Sequence, residues 1–392
     1  MGLSMLRLNH FFHSFKGYVD KLFSSLKTIP RRKYLEVVGV LIGLLGMMWV
    51  ATLVTPYQPK ADSVFYVSTE NDTSFLRARV ESVDDKSLSV TILDGPLKDQ
   101  ARSVEYSPNK YVSEYSPKDL ILVSESSSDS AISLIDRYRV PGLIVLVAIF
   151  MTLVLFIGRR RGVRSLTGLA VSIMVVAWFI IPLILSGYDA LWISIAGAYM
   201  IAFSSIIIAH GLNYRTLISL GCILVVLTLV AIGASLTVYL LGFTGFSDET
   251  AFYLSNSQPN LDLGGILIGG IIIASLGVLD DIITTQVATV DEIFKANPKL
   301  SIKDLFSRAS SVGGEHIASL VNTLALVYIG AALPIIILLA NDNNANLLLL
   351  VNSEFFATEV IRTIIASIGL VLAVPFSTIV SAVIFHKTRS SR

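Results

Sequence analysis

Eight apolar runs punctuate the chain, at residues 37–54, 143–157, 168–185, 191–208, 217–241, 264–283, 317–339 and 364–385. With flanking residues added to the shorter ones, each reaches the roughly 17–25 residues needed to cross a hydrocarbon core about 30 Å thick. The pattern predicts an α-helical polytopic membrane protein with about eight transmembrane helices. The segment between the first two runs has a different period. Here "SFLRARVESV", "SLSVTIL", "ARSVEY" and "DLILVSE" alternate apolar and polar residues and are parted by turn-like "DDK" and "DGPLKD". A period of two marks half-buried strands, so five or six short strands of a small barrel or sandwich are predicted. A third pattern occupies the start of the chain. Leu8, Phe11, Phe12, Phe15, Val19, Leu22 and Leu26 recur at helical spacing among Arg7, Lys16, Lys21 and Lys27. That is the pattern of a basic amphipathic helix on a membrane surface, or of a helix that docks on a soluble partner.

The predicted organisation is a cytoplasmic arm over 1–33, a signal-anchor helix over 34–55, an extracytoplasmic β domain over 56–138, a seven-helix membrane domain over 139–386 and a tail over 387–392. Lysine and arginine orient the spans. Arg31, Arg32 and Lys33 precede the first, and Arg159, Arg160, Arg161 and Arg164 follow the second. Arg215 follows the fourth, Lys295, Lys299, Lys303 and Arg308 the sixth, and Lys387, Arg389 and Arg392 the eighth. The links after the third, fifth and seventh spans lack such residues until Arg362, at the mouth of the eighth span. Cytoplasmic links carry the positive excess, which predicts both termini in the cytoplasm of a bacterial cytoplasmic membrane.

Composition narrows the function classes. Charged residues make up 15% of the 392 and hydrophobic ones 53%, whereas soluble domains carry about 25% charged residues; mean hydropathy is +0.71. The net charge of +1 comes with no basic domain, so no nucleic-acid partner is expected. The single cysteine, Cys222, excludes an intrachain disulfide and a zinc site built on several thiolates. Nucleotide-binding, metalloprotease and hydrolase motifs do not occur, so neither enzymatic activity, a cofactor nor a metal is expected.

The candidate chemistry lies in polar residues within the spans. "LGVLDDIITTQ" (276–286) puts Asp280 and Asp281 into a membrane-length helix, followed by Thr284 and Thr285. Taking every third or fourth residue back from Asp281 gives Gly277, Ala274 and Gly270, a stripe of small residues on which a neighbouring helix can pack. This stripe predicts Asp281 inside a packed seam, placed to exchange a proton, and Asp280 about 100° away at the inner interface. The rise from Gly264 to Asp280 is about 24 Å, so a helix end reaching polar headgroups also accounts for the acids. In the seventh span Glu315, Ser319 and Asn322 share a face, with His316 and Thr323 on an adjacent one. In the eighth, Pro375 is expected to interrupt the helix, either as part of an ion site or as a packing kink. Glu359 and Arg362 at its mouth are expected to form a structural ion pair. The lone histidines at inner helix ends, among them His210, are expected to complement helix dipoles.

Three stretches in order, "GVLDDIITTQVATVDEI" (277–293), "GGEHIASLVNTLALVYIGAALP" (313–334) and "NSEFFATEVIRTIIASIGLVLAVPFST" (352–378), resemble the YibE/F-like family of bacterial multipass membrane proteins. The resemblance is strong over 137–385 and loose over the β segment. The positions that fall on the family's pattern are Gly277 and Asp281, then His316, Asn322, Thr323, Tyr328, Gly330 and Pro334, then Glu354, Glu359, Arg362, Gly369 and Pro375. Gly314 departs from it, because a basic residue often stands there, and the amphipathic arm is not part of it. The resemblance implies a fold and no activity.

Two functions are expected on these grounds. The first is a transporter of an ion or small solute, proton- or cation-coupled, with Asp281, Asp280, Thr285, His316, Asn322 and Pro375 on its pathway. The second is a non-transporting envelope scaffold or assembly factor, which holds a protein partner through the β domain. The lipid bilayer is a partner in both.

Overall fold

The computed structural model describes residues 67–68, 73–84, 86–106, 114–126, 132–247, 249–334, 336–337, 348 and 351–390. The predicted arm, the signal-anchor span and the polar link 341–346 lie outside them. The chain forms two compact units, Gln58–Ile157 and a second made largely of Gly158–Arg392.

The first unit contains a six-stranded antiparallel sheet in the order β4-β3-β2-β5-β6, with β1 paired to β2. The strands are β1 (Val67–Ser68), β2 (Thr73–Val83), β3 (Ser87–Ile92), β4 (Ala101–Glu105), β5 (Leu120–Ser126) and β6 (Ile132–Arg137). Alternation decides the faces. Leu76, Ala78 and Val80 of β2, Leu88, Val90 and Ile92 of β3, and Ile121 and Val123 of β5 are buried, while Arg79 and Glu81 between them are exposed. Bulges fall between Val80 and Ser82 and between Leu122 and Val123. Such bulges strengthen twist, and the ends β4 and β6 approach one another, so the sheet rolls into a half-barrel rather than a two-sheet sandwich. The four strands predicted by pattern are present as β2 to β5. The pattern reading named neither the two-residue β1 nor β6, whose alternation is broken by Asp136 and Arg137. Arg77 forms a bidentate ion pair with Asp94 at 2.6 and 2.7 Å and stacks over Tyr138, and Arg137 does the same with Asp119 and Tyr115 at single contacts. These pairs fix the links to neighbouring strands.

Six helices among the described residues are long and apolar enough to cross a membrane. The first is a 46-residue helical stretch, Val140–Leu185. It comprises α1 (Val140–Val175), a π-helical turn over Val176–Ile180, and α2 (Ile181–Leu185). The predicted runs 143–157 and 168–185 both fall on it, so they are not separated by an open loop. The separation is a break between two helices at Arg159, whose φ of 48° and ψ of −125° are non-helical. The others are α3 (Ala190–His210), α4 (Tyr214–Leu241), α6 (Leu263–Ala296), α7 (Ile302–Ala331) and α8 (Glu354–Ser390); a short α5 (Glu249–Ser257) lies between α4 and α6.

Side-chain caps start these helices. Asp189 accepts from the Trp192 amide, Asn213 from Thr216, Asp262 from Gly265 and Ser301 from Asp304. The core of the helical unit is assembled around α6, which packs on α3, α4, α7 and α8 and buries Ile271, Ile272, Leu279, Ile283, Val287 and Val290. Close approach is made by glycine. A Cβ on Gly269 would lie 2.2 Å from Ser194 Oγ, and one on Gly369 would lie 2.5 Å from Val230 Cγ2. At its start α8 is tied to the link after α4: the Glu354 carboxylate accepts from the amides of Thr244 (2.8 Å) and Gly245 (2.6 Å) and from the Thr244 hydroxyl (2.8 Å).

α8 runs unbroken from Glu354 to Ser390. The expected interruption at Pro375 is therefore absent. Pro375 is exposed, and beside it Ser377 donates to the Ala373 carbonyl at 2.7 Å and Thr378 to Val374 at 2.6 Å.

Candidate functional site

The positions of Asp280 and Asp281 are the reverse of the small-residue prediction. Gly270 and Gly277 are exposed, and a Cβ on either would meet nothing within 4 Å. The close approach to α3 is made instead by Gly265 and Gly269, which face Ala190 and Ser194. Steps of seven and four along that stripe lead from Gly269 through Leu276 to Asp280. Asp280 thus meets α3, where its carboxylate accepts a hydrogen bond from Ser205 Oγ at 3.3 Å, and Asp281 is exposed, one position round. A glycine permits approach but does not require it, and the wrong pair of glycines was favoured by their spacing from Asp281.

The exposure of Asp281 is to a polar cavity. Helices α3, α4 and α6 enclose a space of ≈ 450 Å³ lined by His210 of α3, Asn213, Arg215, Thr216 and Ser219 at the start of α4, and Asp281, Thr284 and Thr285 of α6. The local sequence explains how they converge. Gly211 adopts φ +75°, where glycine is favoured, and ends α3. Asn213 then caps α4 and donates from Nδ2 to the His210 carbonyl at 3.1 Å. The two helix ends are joined by three residues, and both line the cavity that Asp281 of α6 also lines.

The groups around this cavity are unequally satisfied. Thr284 donates to the Asp280 carbonyl at 2.8 Å. Thr216 is 3% exposed and its hydroxyl has no hydrogen-bond partner among the described residues. The Asp281 carboxylate has no ion-pair partner among the described residues either. Arg215 is engaged elsewhere, with Asp291 and Glu292 about three turns further along α6, and Lys295 joins Asp291 at 2.9 Å. This network lines an adjoining cavity of ≈ 930 Å³, which shares Asn213 and Arg215 and is walled by Tyr214, Phe294 and Phe385. A carboxylate, an imidazole and an unpaired hydroxyl therefore surround a space large enough for water, and the space abuts a charged vestibule at the ends of α4, α6 and α8.

The remaining predicted residues are not gathered here. Thr285 lines the cavity with Asp281. His316 is half-buried on α7 with its Nδ1 buried and unpaired, Asn322 is exposed, and Pro375 is exposed on α8; none of the three lines either cavity. Glu359 and Arg362 do form their pair, at 2.8 Å. The residues that pattern reading passed over are His210, Arg215 and Thr216, which are isolated in sequence and meet Asp281 only through the α3–α4 turn. A further buried polar group, Gln286, is fully enclosed where α6, α7 and α8 meet, and it donates to the Ala309 carbonyl at 2.9 Å and to Thr378 Oγ1 at 2.8 Å. Among the described residues no group of three or more His, Cys, Asp or Glu is arranged to hold a metal ion.

Several membrane-length apolar helices with polar side chains turned toward one another define a multi-pass integral membrane protein. A family model described as YibE/F-like protein matches residues 146–387. The chain belongs to the YibE/F-like family. No curated protein and no solved structure matches it.

Proposed function

We propose that the protein is a transporter of a small cation or solute, coupled to protons or to another cation, and that its pathway passes Asp281. The observation that carries this reading is the cavity bounded by Asp281, His210 and Thr216 between three membrane-length helices. Ionisable groups within membrane spans are costly and by default mark ion or substrate paths. A carboxylate without a fixed counter-charge attracts a cation, and imidazole exchanges protons near neutral pH. The adjoining vestibule at Arg215, Asp291 and Lys295 gives the path an opening at the end of the bundle. In this proposal the chain crosses a bacterial cytoplasmic membrane eight times with both termini in the cytoplasm, and the break at Arg159 is a cytoplasmic turn between two crossings.

The test is reconstitution. Purified full-length protein in liposomes with a trapped pH dye, challenged with a panel of inward cation gradients, should change lumenal pH faster than empty liposomes for at least one cation. Inserted protein that produces no flux with any member of the panel would contradict the proposal. The half-barrel, which has a core of its own, would then favour the envelope scaffold.

A further inference from the structure

A separate cavity opens on the opposite side of the Asp280–Asp281 pair. It has a volume of ≈ 540 Å³ and lies between the π-helical turn, α3 and α6. Ile173, Val176, Ile181, Ile201, Ile273 and Leu276 form its walls, and Asp280 with Ser205 supplies its polar end. Ile173 and Ile181 are exposed at its edge, so in a membrane its mouth meets acyl chains rather than water. The π-turn adds an extra residue to the helix at this wall, a distortion that recurs at functional sites.

The chemistry at the polar end is unbalanced. The Asp280 carboxylate has a single long hydrogen bond, from Ser205 at 3.3 Å, and no ion-pair partner among the described residues. An ionised carboxylate against apolar walls is strongly destabilised, and it is relieved either by a proton or, where it stays ionised, by a charge of opposite sign. Apolar walls, a lipid-facing mouth and one anionic terminus are complementary to a molecule with an apolar body and a single positive charge. We propose that this cavity is a binding site for an amphiphilic organic cation, which enters from the bilayer and places its charge against Asp280. The site is distinct from the Asp281 cavity and does not depend on transport, because binding alone fills it.

Gly277 offers a direct way to close the site without disturbing the fold. It lines the cavity, it is exposed, and an added Cβ meets nothing within 4 Å. Gly277→Leu therefore fills the cavity and strengthens the helix. The experiment is equilibrium dialysis of the detergent-solubilised full chain, at mildly alkaline pH, with tetraphenylphosphonium and with tetraphenylborate, an anion of the same shape. Wild-type protein should bind the cation saturably and the anion no better than detergent alone does. Asp280→Asn and Gly277→Leu should each weaken cation binding by about tenfold or more. Glu315→Gln, which removes one exposed carboxylate from α7, should leave it unchanged. Equal binding of cation and anion, cation binding that survives Asp280→Asn, or cation binding that survives Gly277→Leu would each overturn the proposal. If Asp280→Asn fails to fold, Gly277→Leu and the ion pair of probes still decide it.

Discussion

Gln286 is fully buried where α6, α7 and α8 meet. Its amide nitrogen joins α7 and α8 through the Ala309 carbonyl and the Thr378 hydroxyl, while its Oε1 is buried without a partner. Gln286→Ala would lose both hydrogen bonds and leave a void, so thermal unfolding in detergent should show a loss of about 2–4 kcal/mol. Gln286→Leu fills most of the space and removes the unsatisfied oxygen, and Thr378 retains its own bond to Val374. It should therefore cost less than Gln286→Ala; a greater cost would mean that the side-chain bonds outweigh packing. The same scale shows what could be read from the chain. That two adjacent acids sit on one long apolar helix was legible in "LDDIITTQ". Which helix each acid meets was not, because glycines at 265, 269, 270 and 277 fit two stripes and only tertiary packing selects Gly265 and Gly269. His210 and Arg215 were visible only as a helix-end histidine and a topogenic charge, since the turn at Gly211 is what brings them to one cavity.

At the scale of elements, glycine contacts set the distances between helices. Gly369→Leu would drive a side chain into Val230 and separate α8 from α4, costing about 1–3 kcal/mol of stability, which a thermal shift would report. The half-barrel has a core separate from that of the helices. Residues 56–138 expressed alone should give a β-rich circular dichroism spectrum and unfold cooperatively; a helical or disordered spectrum would contradict this. Its acid sensitivity follows from Asp94, which the Arg77 guanidinium holds below the usual carboxylate range. A depressed carboxyl contributes stability that is present above its unfolded pKa of about 3.9 and lost as pH falls below it. Asp94→Asn should lower stability at neutral pH and flatten its decline in acid. Strand periods were legible because one face is buried and the other exposed, as in Leu76-Arg77-Ala78-Arg79-Val80. The position of the break at Arg159 was not, because a single non-helical residue leaves no mark on composition.

For the whole molecule, topology and transport are the claims at stake. The native cysteine, Cys222, is 2% exposed, so introduced cysteines can be labelled over a low background. The lysine and arginine alternation predicts that a cysteine within 341–346 reacts with an impermeant thiol reagent added outside intact cells, whereas Ser390→Cys reacts only after the membrane is opened. The opposite pattern would rule out eight crossings with cytoplasmic termini. The central claim, that the cavity at Asp281 carries transport, is tested most directly by flux per inserted molecule in proteoliposomes, with wild type, Asp281→Asn and Asp281→Glu compared at matched amounts of folded protein. Asp281→Asn keeps the shape of the side chain but removes its charge, and should reduce cation-driven flux by at least about tenfold, while Asp281→Glu restores a measurable part of it. Flux per molecule that is unchanged in Asp281→Asn would contradict the account.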